Sequence, residues 1–248
     1  MTASPGARLR VTALVFAAVF AGLVAGAGRA AAQSCPAPTG TAPSLAAVDG
    51  GARLAWIDAR LSRTAHHTRL WRGWITAGLA AATVANLIPV AFVAPDSRVD
   101  WYTGSVTTIA GIVPLYIQPL PVLDDAAALR VEVQTLGPAG AAAGTPEVCR
   151  VLADAEVRLA RSAAAQANSQ RWWWHAGNFA LNAGVGLFLG IGFHHWLAGA
   201  FNFVSGAVIG EAIILTQPTG NVDDLEHYRL GDLAAPPRAA SFRVGARF

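Results

Sequence analysis

The sequence predicts an all-α membrane protein: two tandem helical hairpins, four transmembrane helices in all, with long pre-membrane helices, after an N-terminal signal peptide. Three observations predict it. Residues 73–95, 101–123 and 172–210 carry no Asp, Glu, Lys or Arg, and the last stretch holds two spans. Trp71, Trp74, Trp101, Trp172, Trp173, Trp174 and Trp196 mark the borders of these runs, where an amphipathic ring fits the membrane–water interface. The hydrophobic half of the chain also occurs twice. Leu54, Ala55, Asp58, Arg60, Leu61, Arg63, Thr64 and Ala65 recur 98 residues on as Leu152, Ala153, Glu156, Arg158, Leu159, Arg161, Ser162 and Ala163. After a one-residue insertion the offset becomes 99, and Arg72, Trp74, Gly111, Gln118, Pro119, Asp124 and Asp125 recur as Arg171, Trp173, Gly210, Gln217, Pro218, Asp223 and Asp224.

The elements follow in order. Arg8 and Arg10 precede an uncharged apolar stretch, Val11 to Gly28, and Ala30–Ala32 offers small residues for cleavage, so residues 1–32 read as a secretory signal peptide. Residues 33–52, rich in Pro, Thr, Gly and Ala, form an extended lead-in. Repeat 1 spans 53–125: a pre-membrane stalk helix with Leu54, Ile57 and Leu61 on one face, then a hairpin that turns at Asp96–Asp100. The 23 uncharged residues of 73–95 suffice to cross a hydrocarbon core of ~30 Å, and Pro89 is placed to kink them. Residues 126–146 read as a linker in which Leu129–Leu136 alternates like a short strand. Thr145-Pro146 starts a helix, Thr as cap and Pro in the first turn. Repeat 2, 147–224, then runs through Trp172–Trp174 into a third span, turns at His194–Trp196 and returns as a fourth. The tail, 225–248, ends in an alternating stretch, Ser241 to Phe248, that reads as an edge strand or a loose end. An outer-membrane barrel needs many such segments.

Two spans per repeat bring both copies into the membrane from the same side, with a pseudo-two-fold axis along the membrane normal. At ~1.5 Å per residue the stalks rise on the order of 25–35 Å and are expected to pack together. Cys35 and Cys149 flank the apolar runs and in an exported chain form one disulfide. The signal and the cysteines put stalks, connector and C-terminus in a periplasm, with the protein in a bacterial inner membrane. The positive-inside rule argues for the inverse, because Arg60, Arg63, Arg69, Arg72, Arg158, Arg161 and Arg171 all flank the spans on that side. Pairing with Asp58, Asp154 or Glu156 is one way for stalk arginines to sit there.

Composition limits the partners. The chain is 54% hydrophobic and 13% charged, and its 18 basic residues are all Arg, scattered singly for a net charge of +3. That leaves the bilayer as a partner, a periplasmic or membrane protein or a second copy as possible ones, and no nucleic-acid footprint. Glu211 is the one acid inside a span. Such a group is costly to bury and marks either a site or a polar clamp. His175, Asn178 and Asn182 share a helix face at spacings of three and four. With antiparallel spans, Asn178 lies as deep as Glu211. The first copy holds Thr76, Leu79, Thr83 and Ile112 at these places, so any site is confined to the second hairpin. Gly186–Gly190 and Gly206–Gly210 fit the pattern for close helix packing. Gln118-Pro119 and Gln217-Pro218 form a repeated rim at the membrane edge. His66-His67 and His194-His195 lack further ligands at metal spacing, so neither a metal nor another cofactor is expected. No nucleophile elbow, phosphate loop or paired-carboxylate motif points to an enzyme. The expected role is structural or interaction-based. The alternative is a small transporter or channel subunit using Glu211.

Overall fold

The computed structural model describes residues 35–142 and 144–235. The expected signal peptide and the alternating tail at 241–248 lie outside the described residues. All regular structure among the described residues is helical: α1 (Pro43–Ala46), α2 (Gly50–Leu87), α3 (Arg98–Ile117), α4 (Pro121–Ala142), α5 (Pro146–Ser169), α6 (Trp172–Phe193), α7 (Trp196–Thr216) and α8 (Gly220–Leu230), with 3₁₀ turns at Ile88–Ala91 and Pro95–Ser97. Four helical segments are long and apolar enough to cross a membrane: Gly50–Ala91, Pro95–Pro138, Trp172–Phe193 and Trp196–Leu230.

Side-chain burial divides the molecule into two zones. In the first, the charged part of α2 packs with α4, α5 and α8 into a four-helix bundle. Its core holds Leu54, Ile57, Leu61, Val122, Ala126, Leu129, Val148, Leu152, Ala155, Leu159 and Tyr228. In the second, α2 pairs with α3, and α6 with α7. There the polarity is inverted: Phe92 is 85% exposed, Leu197 87% and Phe201 72%. So much outward apolar surface on four long helices is the pattern of a chain dissolved in lipid. Trp71, Trp74 and Trp172–Trp174 stand at the bundle end of this zone, and Trp101 and Trp196 at the other.

Local signals explain most boundaries. Asp49 caps α2, its carboxylate accepting from the Ala52 amide at 3.0 Å. Thr145 caps α5 by accepting from the Val148 amide at 3.3 Å, with Pro146 in the first turn, as expected from sequence. Pro89 ends α2 in a 3₁₀ turn rather than kinking a longer helix. Gly231, at φ 71°, closes α8 in the left-handed conformation.

The lead-in expected to be extended over 33–52 holds α1 and the start of α2, and two further expectations are corrected. Leu129–Leu136 is not a strand, and most of the expected linker is helical within α4, which kinks at Gly137, φ 67°. The alternation there is a short-window accident. Over the longer window Val122, Ala126, Leu129, Val133 and Leu136 recur at helical spacing and meet the core, whereas Val131, which a strand would turn inward with Leu129, is 62% exposed. The second correction concerns the run from stalk to third span. In the first copy α2 is one helix of 38 residues. In the second, the helix breaks at Gln170-Arg171 between α5 and α6. The break falls where the sequence carries its one-residue insertion. In a continuous helix that insertion would rotate everything after it by ~100°. The break absorbs it, held by Gln170 Nε2 donating to the Ile214 carbonyl at 2.7 Å and Trp174 Nε1 donating to the Asn168 carbonyl at 3.1 Å.

Candidate functional site

The structure brings Glu211 of α7 together with His175, Asn178 and Asn182 of α6. His175 Nδ1 lies 2.6 Å from Glu211 Oε2. Asn178 Nδ2 donates to Glu211 Oε1 at 2.9 Å and to the Ala207 carbonyl at 2.9 Å. Asn182 Nδ2 donates to Asn178 Oδ1 at 2.8 Å, so the chain of amides leads from the acid toward the middle of the pair. Both carboxylate oxygens are thus bonded by the neighbouring helix, which satisfies an acid in an apolar surround.

The glycines make room for these amides. A Cβ on Gly206 would overlap Asn182 Oδ1, and one on Gly210 would overlap Asn178 Oδ1. The other glycine pair serves the far end: a Cβ on Gly190 would fall 2.5 Å from the Trp196 ring, and one on Gly186 would fall 2.9 Å from the Gly199 carbonyl. All four glycines singled out in the sequence therefore lie in the α6–α7 contact, as small residues do where helices approach closely. The α2–α3 pair is joined by hydroxyls instead: Thr83 with Thr108 at 2.7 Å, Thr76 with Tyr116 at 3.2 Å.

Gln118, Pro119, Gln217 and Pro218 line a single cleft where the bundle meets the membrane zone, together with Thr68, Ser162 and Gln166. Gln166 Oε1 accepts from the Asn221 amide at 2.9 Å. The histidine pairs separate in role. His66 and His67 lie side by side with ring centroids 6.1 Å apart. His194 takes a left-handed turn at φ 61°, and His195 Nδ1 lies 2.8 Å from Asp100 Oδ1, tying the α6–α7 turn to the start of α3. Among the described residues no three His, Cys, Asp or Glu side chains gather as a metal site.

In the bundle, the cysteines form the expected disulfide, Cys35–Cys149, with Cα atoms 5.1 Å apart. Gly50 is required beside it, since a Cβ there would fall 2.5 Å from Cys35 Sγ. Two of the three expected acids, Asp154 and Glu156, pair with stalk arginines, and further pairs join them. Arg60 pairs with Asp224 at 3.2 Å, Arg158 with Glu132 at 2.6 Å, and Arg161 with Asp125, its Nε donating at 3.2 Å. Of the anticipated acids, Asp154 meets Arg150 and Glu156 meets Arg53, while Asp58 is near Ser62. Asp125 and Asp224, which lie 99 residues apart, thus each bind an arginine of a different long helix, Arg161 of α5 and Arg60 of α2.

Sequence reasoning missed a buried network. Arg53 donates to the Tyr228 hydroxyl at 2.9 Å, to the Cys35 carbonyl at 3.0 Å and to Glu156, and Tyr228 also donates to Glu156. Burial works against the Arg53 charge, but the bonds from Tyr228 and Glu156 outweigh it and its pKa is raised. Burial, then Glu156, pushes the Tyr228 phenol up. Burial raises the Asp224 carboxyl despite Arg60, while its bond to Asp125 raises Arg161. The one available signal was Arg53 itself, a charge on the apolar Leu54–Ile57 face.

No family model, curated protein or solved structure matches the chain.

Proposed function

We propose that this is a multi-pass envelope protein in which the two helix pairs anchor a disulfide-stapled helical bundle that acts by contact with another protein. The observation that carries the reading is the bonding of the acid held between α6 and α7. Glu211 is bonded at both oxygens by His175 and Asn178. An acid so held closes a helix pair. The bundle, tied by Cys35–Cys149 and by ion pairs between the two copies' helices, is then the working part. In this reading residues 1–32 are removed on export, the chain sits in a bacterial inner membrane, and the bundle faces an oxidising periplasm where its disulfide persists. The tandem repeat supports a pseudo-two-fold arrangement, with Gln118-Pro119 and Gln217-Pro218 facing across one cleft. Stalk arginines have a reason to be there that is independent of topology, since Asp224, Glu132 and Asp125 require them.

A photo-crosslinking amino acid at Val157, which is 66% exposed on α5, tests the contact role in intact cells. A discrete adduct, with a partner or with a second copy, is expected. Absence of adducts there and at Val131 contradicts the proposal. A second reading, a small transporter or channel subunit, is favoured by the pairing of an intramembrane acid with His175. Purified protein in vesicles containing a pH-sensitive dye separates the two. The anchor reading expects no proton flux from the wild type, and from Glu211→Gln only a lower melting temperature. Flux lost in Glu211→Gln at unchanged stability favours transport.

A further inference from the structure

Seven arginines flank the apolar helices on the bundle side, and the structure sorts them. Arg60, Arg158 and Arg161 have carboxylate partners, while Arg63, with none within ion-pair distance among the described residues, stands nearly two turns further from the membrane than Arg69. Among the described residues, Arg69, Arg72 and Arg171 have no carboxylate within ion-pair distance. These are also the three nearest the membrane: the uncharged runs begin at Gly73 and Trp172. Two of them lie over aromatic rings. The Arg72 guanidinium lies 5.1 Å from the centre of Tyr116, whose hydroxyl is fixed by Thr76 at 3.2 Å, and that of Arg171 lies 4.1 Å from Trp173. A guanidinium placed over a ring face uses no N–H donor on a carboxylate there, so its N–H groups can serve other acceptors. Arg69 stands one turn before Arg72, on the same side of α2. Trp172 and Trp74, 73% and 76% exposed, supply apolar surface beside the charges.

We propose that Arg69 with Arg72, and Arg171 at the corresponding place in the second copy, bind the phosphodiester head groups of anionic phospholipids in the bundle-side leaflet. The chemistry fits on three counts. The guanidinium fork matches two phosphate oxygens. A lipid with net negative charge supplies the missing counter-charge, which a choline phospholipid cancels internally. The depth is that of a head group, bounded by apolar helix on one side and interfacial tryptophans on the other. A dissolved phosphate would have no use for the exposed rings. The inference rests on the membrane character of the chain, independently of its partner or orientation.

Tryptophan quenching tests it on the full chain. The protein carries Trp101→Phe and Trp196→Phe, so that the remaining membrane tryptophans sit at one border. It is reconstituted in phosphatidylcholine containing chain-brominated phosphatidylglycerol or, separately, chain-brominated phosphatidylcholine. The expected result is preferential quenching by the glycerol lipid, with a relative association roughly fivefold per engaged arginine, falling steeply with salt. Replacing Arg69, Arg72 and Arg171 by Gln brings the ratio to about one at unchanged helicity and melting temperature. In the parent, 0.5 M salt does the same without any substitution. Equal quenching by the two lipids in the parent protein, or a preference that survives the triple substitution, overturns the proposal. So does a preference abolished by millimolar inorganic phosphate at constant ionic strength, which would assign the site to a soluble anion.

Discussion

Arg60→Met should weaken the bundle strongly, and Asp224→Asn added to it should return part of the loss. The Arg60 and Asp224 side chains retain only 8% and 11% of their exposure and lie 3.2 Å apart. At an effective dielectric of 20 their gross attraction is roughly 5 kcal/mol. Asp224 is nonetheless pushed up from its ordinary value of 3.8, because burial exceeds the relief from Arg60 and Arg63. The pair therefore adds little net stability, but halving it leaves a buried charge, which costs about 3–5 kcal/mol. Arg60 also lies over Trp56 and donates to the Ala235 carbonyl, and both losses are common to the single and double variants. Their difference isolates the stranded carboxylate, and the double should regain a measurable part of the about 3–5 kcal/mol that a stranded buried charge costs. Acidification gives the sign. A carboxyl raised in the folded state contributes stability below its unfolded value and loses it as pH rises through the folded value. Arg60→Met should therefore approach the wild type as pH falls from neutrality toward the carboxylate range. Thermal unfolding of the detergent-purified protein reads these effects, at roughly 2–4 °C per kcal/mol for a chain of this size. A melting temperature for Arg60→Met within a degree of the wild type, or a double variant no better than the single, would refute the reasoning.

Three further outcomes follow. Gly210→Ala sets a methyl on Asn178 Oδ1 and should lower the melting temperature by displacing that amide from Glu211, whereas Gly177→Ala, with nothing within 4 Å, should have no effect. Thr145→Ala removes the α5 cap and should cost about 1 kcal/mol in the same assay, with Thr145→Asp restoring it. Tyr228→Phe strips one partner from Arg53 and from Glu156 in a buried network, and should cost about 1–3 kcal/mol, more than Tyr116→Phe at the exposed α2–α3 edge.

The apolar zone was the more legible part of the fold because its code is simple. Uncharged length gave the spans, tryptophans their borders, and the antiparallel turn at His194-His195 set Asn178 level with Glu211. Counting along two helices of known direction was enough to bring these residues together. The bundle was harder. Several of its ion pairs join segments far apart in the chain, Arg60 with Asp224 and Arg161 with Asp125, and these acids were not among the expected Asp58, Asp154 and Glu156, of which the last two do meet stalk arginines. The strand reading of Leu129–Leu136 failed because eight alternating residues were weighed without Val122 and Ala126 before them. The break at Gln170-Arg171 had a signal, the change of offset from 98 to 99, but its meaning depends on helical rotation that only the three-dimensional fold makes plain. Arg53 had no local signal for its partners, because Tyr228 and Glu156 come from elsewhere in the chain.

Thiol alkylation of Cys35 and Cys149 in intact cells, with and without reductant, tests the central claim most directly. The claim is a disulfide-stapled bundle on the exported side of a membrane anchor. Thiols blocked until reduced, and then open to a membrane-impermeant reagent, are the predicted result. Thiols that react without reduction, and only with a permeant reagent, would contradict it and place the bundle in the cytoplasm.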